Sequence, residues 1–112
     1  MLKNKQTNYD VGDVMAFALD SGDEIVGEIV EIYDNEIVLN RPFKVHLTER
    51  GPAWFPFSFV IDQDTTVRVN IPIDKKHIIS AYRCNEDSKV EYTRLTTGIE
   101  IVSGNPHKIQ KS

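Results

Sequence analysis

The feature that most constrains the fold of this chain is a run in which Val67, Val69, Ile71 and Ile73 alternate with Arg68, Asn70 and Pro72. A period of two puts the branched apolar side chains on one face of an extended strand and the others on the opposite face. Shorter runs of the same kind recur along the chain, separated by the Gly, Asp, Asn and Pro residues that tight turns use. Val14 to Leu19 places Met15, Phe17 and Leu19 on one face. The Asp20-Ser21-Gly22-Asp23 turn then leads into a second strand, Glu24 to Tyr33.

In that second strand Ile25, Gly27 and Ile29 share a face, whereas Ile32 is out of phase by one residue, which a β-bulge repairs. Gly27 in mid-strand removes a side chain where a bent strand passes close to another backbone. Asp34-Asn35 is the next turn, followed by a strand over Glu36 to Leu47 that Pro42 breaks or confines to an edge. After a reversal at Glu49 to Pro52, Phe55, Phe57 and Phe59 alternate in an extended segment. Pro56 marks that segment as an edge strand. Asp62 to Thr65 is a polar break, and Asp74-Lys75-Lys76 is a charged turn into a last strand, His77 to Tyr82. Helical spacing is confined to Asp87 to Thr97, with Ser88 and Glu91 at capping-box distance, Tyr92, Leu95 and Ile99 along one face, and Gly98 as the stop. Ile99 to Val102 returns as an extended tail, and the last ten residues are expected to fray. The expectation is an all-β domain: a small, strongly bent, five-stranded antiparallel barrel with one short C-terminal helix.

At 112 residues the chain holds one hydrophobic core, so a single domain is expected, ordered over about residues 10–102. Its 40% hydrophobic and 27% charged residues place it among globular proteins rather than disordered or coiled-coil chains. No apolar run reaches membrane-spanning length, and Met1 to Asn8 is polar, so a cytoplasmic location is expected. The single Cys84 cannot form an internal disulfide and is read as a small core filler, while His46 and His107 lack partners at metal-ligand spacing. With no nucleophile setting and no glycine-rich phosphate loop, neither enzymatic activity nor a cofactor or metal is expected. The net charge of −4 excludes nucleic-acid binding through bulk positive charge, so any such binding must be local.

Gly22, Ile25, Gly27, Ile29, Ile32, Asp34, Ile37 and Leu39 have a spacing that resembles the first signature of Sm and Sm-like proteins. The turn carrying Asp34 falls one residue later than in that family. In place of the Arg-Gly pair of the second signature stands Asp74-Lys75-Lys76-His77-Ile78-Ile79-Ser80, which looks more like the Lys-His turn of the bacterial RNA chaperone Hfq. Along most of its length the chain is similar to small Sm-like proteins of marine cyanophages. The segments that carry this likeness are Arg41-Pro42-Phe43, Trp54 to Phe59, Asp62 to Asp64, His77 to Tyr82 and Tyr92 to Val102.

The resemblance implies a homo-oligomeric ring of about five to seven subunits, in which one copy's fourth strand pairs with the fifth strand of its neighbour, here Val67 to Ile71 with His77 to Tyr82. It also implies single-stranded RNA or DNA as a partner. The candidate contacts are Tyr33, Asp34 and Asn35 in one pore loop and Lys75, Lys76 and His77 in the other. Glu36, standing where Hfq-like proteins tend to have an aromatic, opposes this by repelling phosphate. The alternative is a structural or protein-interaction ring without nucleic-acid binding, whose acidic face docks partner proteins. Trp54, Phe55, Phe57 and Phe59 are read as core or subunit interface rather than as a base-stacking platform.

Overall fold

The computed structural model describes residues 9–98. In chain order these form β1 (Val14–Leu19), β2 (Glu24–Ile32), β3 (Glu36–Thr48), β4 (Gly51–Pro56), β5 (Asn70–Asp74), a 3-10 turn (Lys75–His77), β6 (Ile78–Arg83) and a helix, α1 (Glu86–Thr97). The six strands make one antiparallel sheet in the order β4-β3-β2-β1-β6, with β5 also paired to β3, and the sheet is not closed. Ile99 to Val102 and the last ten residues lie outside the described residues.

One face of the sheet carries Met15, Phe17, Leu19, Ile25, Ile29, Ile37, Leu39 and Ile73, the alternate positions of four strands and the main core. Counted through β3, β2 and β1, four strand spacings separate β5 from β6, roughly 19 Å in a flat sheet. Yet Ile73 of β5 and Ile78 and Ala81 of β6 pack into the same cluster, and only three residues join the two strands. The sheet must therefore curl strongly. The opposite face carries Ala16, Val26 and Phe43, which α1 covers with Tyr92.

The curl depends on local devices. The β2–β3 register shifts twice, between Val26 and Glu28 and between Ile29 and Glu31, and the second shift brings Ile32 opposite Ile37. Gly27 lies at the first. A Cβ added there would stand 3.1 Å from Leu39 Cβ and 3.4 Å from the Pro42 Cα, the close approach expected of this glycine. β3 changes partner midway: Glu36 to Asn40 pair with β5, and Phe43 to Thr48 pair with β4. Arg41 and Pro42 occupy the switch, with Arg41 at φ 44°, a rare backbone state for a side-chain-bearing residue. Pro42 is thus tolerated inside a long strand because the ladder is interrupted there, and its carbonyl accepts from Phe57 N at 3.0 Å.

Four expectations need correction. The sheet has six strands where five are expected, because the β4 segment that Pro56 marks as an edge is a full partner of β3. The strand expected from Val67 begins only at Asn70, because Arg41, 4% exposed, turns the preceding loop toward itself. Its guanidinium donates to the carbonyls of Asp62 (2.6 Å), Asp64 and Val67 (3.0 Å). The phenylalanines do not share a buried face. Phe55 is exposed on β4, Phe57 is partly buried against the core, and Phe59 is 87% exposed in the following loop. The helix begins two residues before Ser88, capped by Asn85, whose side chain accepts from Ser88 N at 2.8 Å, so Ser88 and Glu91 form no capping box. Gly98 ends the helix as expected, in the left-handed region at φ 72°.

The Tyr92 hydroxyl anchors α1 to the sheet by donating to the Asn40 carbonyl and accepting from Glu28 N at 3.1 Å. Burial pushes this phenol well above its usual range. On β6, burial and then the hydrogen bond to the Glu24 carboxylate push Tyr82 up to about 12. A phenol whose pKa is raised by folding favours the neutral form in the folded state. The resulting stabilisation is complete below the ordinary value near 10 and is lost as pH climbs through the folded values. Ultraviolet phenolate titration should therefore show two tyrosines ionising late, and unfolding midpoints should fall once pH passes about 10.

Candidate nucleic-acid interface

Both segments singled out from sequence are turns on the rim of the sheet. Tyr33 N donates to Glu36 O at 2.8 Å, closing β2 and β3 around Asp34-Asn35. Asp34 and Asn35 both have negative φ, so this is not the mirror-image hairpin turn that Asp and Asn favour. In the second segment the Asp74 carboxylate accepts from Lys76 N at 3.0 Å and caps the 3-10 turn over Lys75–His77. A single backbone bond joins the two turns: Lys75 N donates to Asn35 O at 2.9 Å. The β3–β5 pairing thus continues past the strand end and places Asn35 beside Lys75.

His77 is not part of this junction. Its Nδ1 lies 3.0 Å from Asp20 Oδ2, and its carbonyl accepts from Asp20 N at 2.8 Å, so it clasps the β1–β2 turn instead. Sequence reading missed this partner because Asp20 is 57 residues away along the chain. Lys76 Nζ sits 4.0 Å from Asp74 Oδ2, with both side chains well exposed. Such a surface pair is worth roughly 0–1 kcal/mol and leaves Lys76 able to exchange its partner for a phosphate. Lys75 has no carboxylate at ion-pair distance among the described residues. The ring of Tyr33 is about half exposed, and its hydroxyl donates to the Glu31 carboxylate.

The junction is not electrostatically simple. Glu36 stands directly across from Asp74 in the β3–β5 register, Asp34 lies in the first turn and Glu31 near the end of β2 that leads into it. The rim element thus carries four carboxylates and two lysines, of which only Lys76 and Asp74 lie at ion-pair distance. Among the described residues no group of three or more His, Cys, Asp or Glu side chains could hold a metal, and no helix is long and apolar enough to cross a membrane. Arg41 escaped functional notice in the sequence, although an arginine before proline within an apolar strand was its signal. Cys84 is partly buried beside Ala16, Val26 and Phe43, and burial pushes its thiol up. Neither any protein-family model nor any curated protein matches the chain.

The strand edges complete the picture. Lys75 N to Asn35 O and Arg41 N to Val69 O (2.8 Å) bracket β5 at both ends, so the alternation of an antiparallel ladder turns the backbone groups of Ile71 and Ile73 toward β3. Asn70, Pro72 and Asp74 then face the other side, where no strand lies among the described residues. Pro72 sits where its missing N–H costs nothing to the ladder with β3.

Proposed function

We propose that this chain is a subunit of the Sm-like kind. Its curled sheet is a small open barrel that assembles into a homo-oligomeric ring of five to seven copies and binds single-stranded RNA or DNA, with a role in RNA or DNA processing. The barrel reading is supported by the shared core of β5 and β6 and by their three-residue connection. The ring reading is supported by the outward-facing edge of β5, which keeps the N–H groups of Asn70 and Asp74 although Pro72 between them has none, and by Ile79, 69% exposed on the strand that ends the sheet. The pairing is β5, Asn70–Asp74, with the neighbour's β6, Ile78–Arg83, antiparallel like every other pair in the sheet.

The observation that carries the binding site is the Lys75 N to Asn35 O bond, which unites the two turns in one rim element. Repeated around a symmetry axis, Lys75 and Lys76 provide phosphate contacts, and Tyr33 provides a face on which a base can stack. His77 contributes by holding the turn through Asp20. Binding of a labelled oligonucleotide at low salt should weaken at least about tenfold in a Lys75→Ala, Lys76→Ala double variant. The salt slope should flatten by about 0.7 for each phosphate that the variant no longer neutralises. Undiminished binding with an unchanged slope in the double variant removes this site.

A second reading is favoured by the Glu36–Asp74 pair and its flanking carboxylates: a ring whose acidic rim docks a basic protein partner. Wild-type protein that binds neither RNA nor DNA at low salt supports that reading over the first.

A further inference from the structure

Between β4 and β5 the chain presents two large apolar side chains to water. Phe59 and Val60 are 87% and 77% exposed. They are the central residues of a β-turn closed by Ile61 N donating to Ser58 O at 3.1 Å, and Val60 N also donates to the Ser58 hydroxyl at 3.3 Å. The turn is not a loose end, because the carbonyls of Asp62, Asp64 and Val67 just beyond it are held by the buried Arg41 guanidinium. Two adjacent apolar side chains held out in water by a tethered turn make a candidate interaction site.

On the face of the sheet that carries α1 lies a groove of about 490 Å³ between the β3–β4 hairpin and the end of β6. Val26, Val45, Leu47 and Pro52 form its apolar wall, and Tyr82 and Cys84 lie on the β6 side. Arg83 stands at its margin, exposed and with no carboxylate at ion-pair distance among the described residues. Glu24, also lining the groove, already accepts from the Tyr82 hydroxyl.

We propose that the Phe59–Val60 knob of one copy seats in this groove of the next copy, an inference that rests on the ring reading. Antiparallel pairing of β5 with a neighbour's β6 aligns the start of β5, Asn70, with the end of β6, Arg83. The loop that leads into β5 is thereby carried to the neighbour's Arg83, Cys84 and Asn85, the β6 end of the groove. Charge agrees with this placement. The knob is followed by Asp62 and Asp64, whose carboxylates accept from Asp64 N and Thr66 but form no ion pair among the described residues, and the groove margin offers Arg83. The knob supplies apolar area to an interface that the short β5 edge, interrupted by Pro72, provides only sparingly.

The single native cysteine makes a direct test, since Cys84 lines the groove. A Phe59→Cys variant, oxidised with copper–phenanthroline, should give a ladder of disulfide-linked species from dimer up to the full ring on a non-reducing gel. The ladder should vanish when Cys84→Ser is added. Phe59 is exposed, so the substitution leaves the subunit folded, which circular dichroism verifies. In parallel, Phe59→Ser with Val60→Ser should weaken assembly at least about tenfold by light scattering. A ring-sized mass without Cys84-dependent cross-linking overturns the knob-and-groove contact and leaves the ring standing. A monomeric mass overturns both.

Discussion

Arg41→Ala is expected to lower the free energy of unfolding by about 3 kcal/mol, the largest effect foreseen for any single side chain outside the main core. Three carbonyls lose their common donor at once, and alanine inherits a backbone at φ 44° that it does not favour. Arg41→Lys should recover little of the loss. An ammonium on a flexible stem cannot reproduce the fork that reaches Asp62, Asp64 and Val67 together. Urea unfolding measures the cost. Limited proteolysis should show cleavage within residues 57–69 rising before global unfolding, because the guanidinium ties that loop to β3.

Gly27→Val comes next, with an expected loss of about 1–3 kcal/mol and a fall in thermal midpoint of about 5–15 °C. The branched methyls would press on Leu39 and on the Pro42 backbone at the place where β2 and β3 change register. Gly27→Ala asks only for a shift of a few tenths of an ångström and should cost distinctly less. Equal, negligible losses in the two variants, followed by thermal melting, would mean that the bend does not depend on this close approach.

These two residues also mark how far the chain could be read. Gly27 announced the bend because a glycine inside a β-branched strand has few other reasons to be there, and β1, β2, β6 and α1 fell close to where alternation and helical spacing put them. Arg41 enters the sequence reading only as part of the Arg41-Pro42-Phe43 likeness, and its unread grip on the Asp62, Asp64 and Val67 carbonyls explains the largest miss. Val67 and Val69 alternate as a strand should, but hydrogen bonding to a buried guanidinium competes with the ladder and wins over the propensity of two valines. Pro42 announced a break in β3 but not the partner switch that goes with it, since alternation reports a face and not which strand lies alongside. At the rim, the turns themselves were legible from Asp34-Asn35 and Asp74-Lys75-Lys76. Their union through Lys75 N and Asn35 O, and the loss of His77 to Asp20, depend on tertiary placement that local pattern does not encode.

The proposed nucleic-acid site and the proposed knob-in-groove contact both depend on whether the outer edge of β5 finds β6 of another copy. Light scattering coupled to size exclusion, at micromolar concentration and moderate salt, tests this most directly. The account predicts one species with a mass between five and seven times the 12.8 kDa of the chain, unchanged on dilution through the micromolar range. A single species at 12.8 kDa would contradict it.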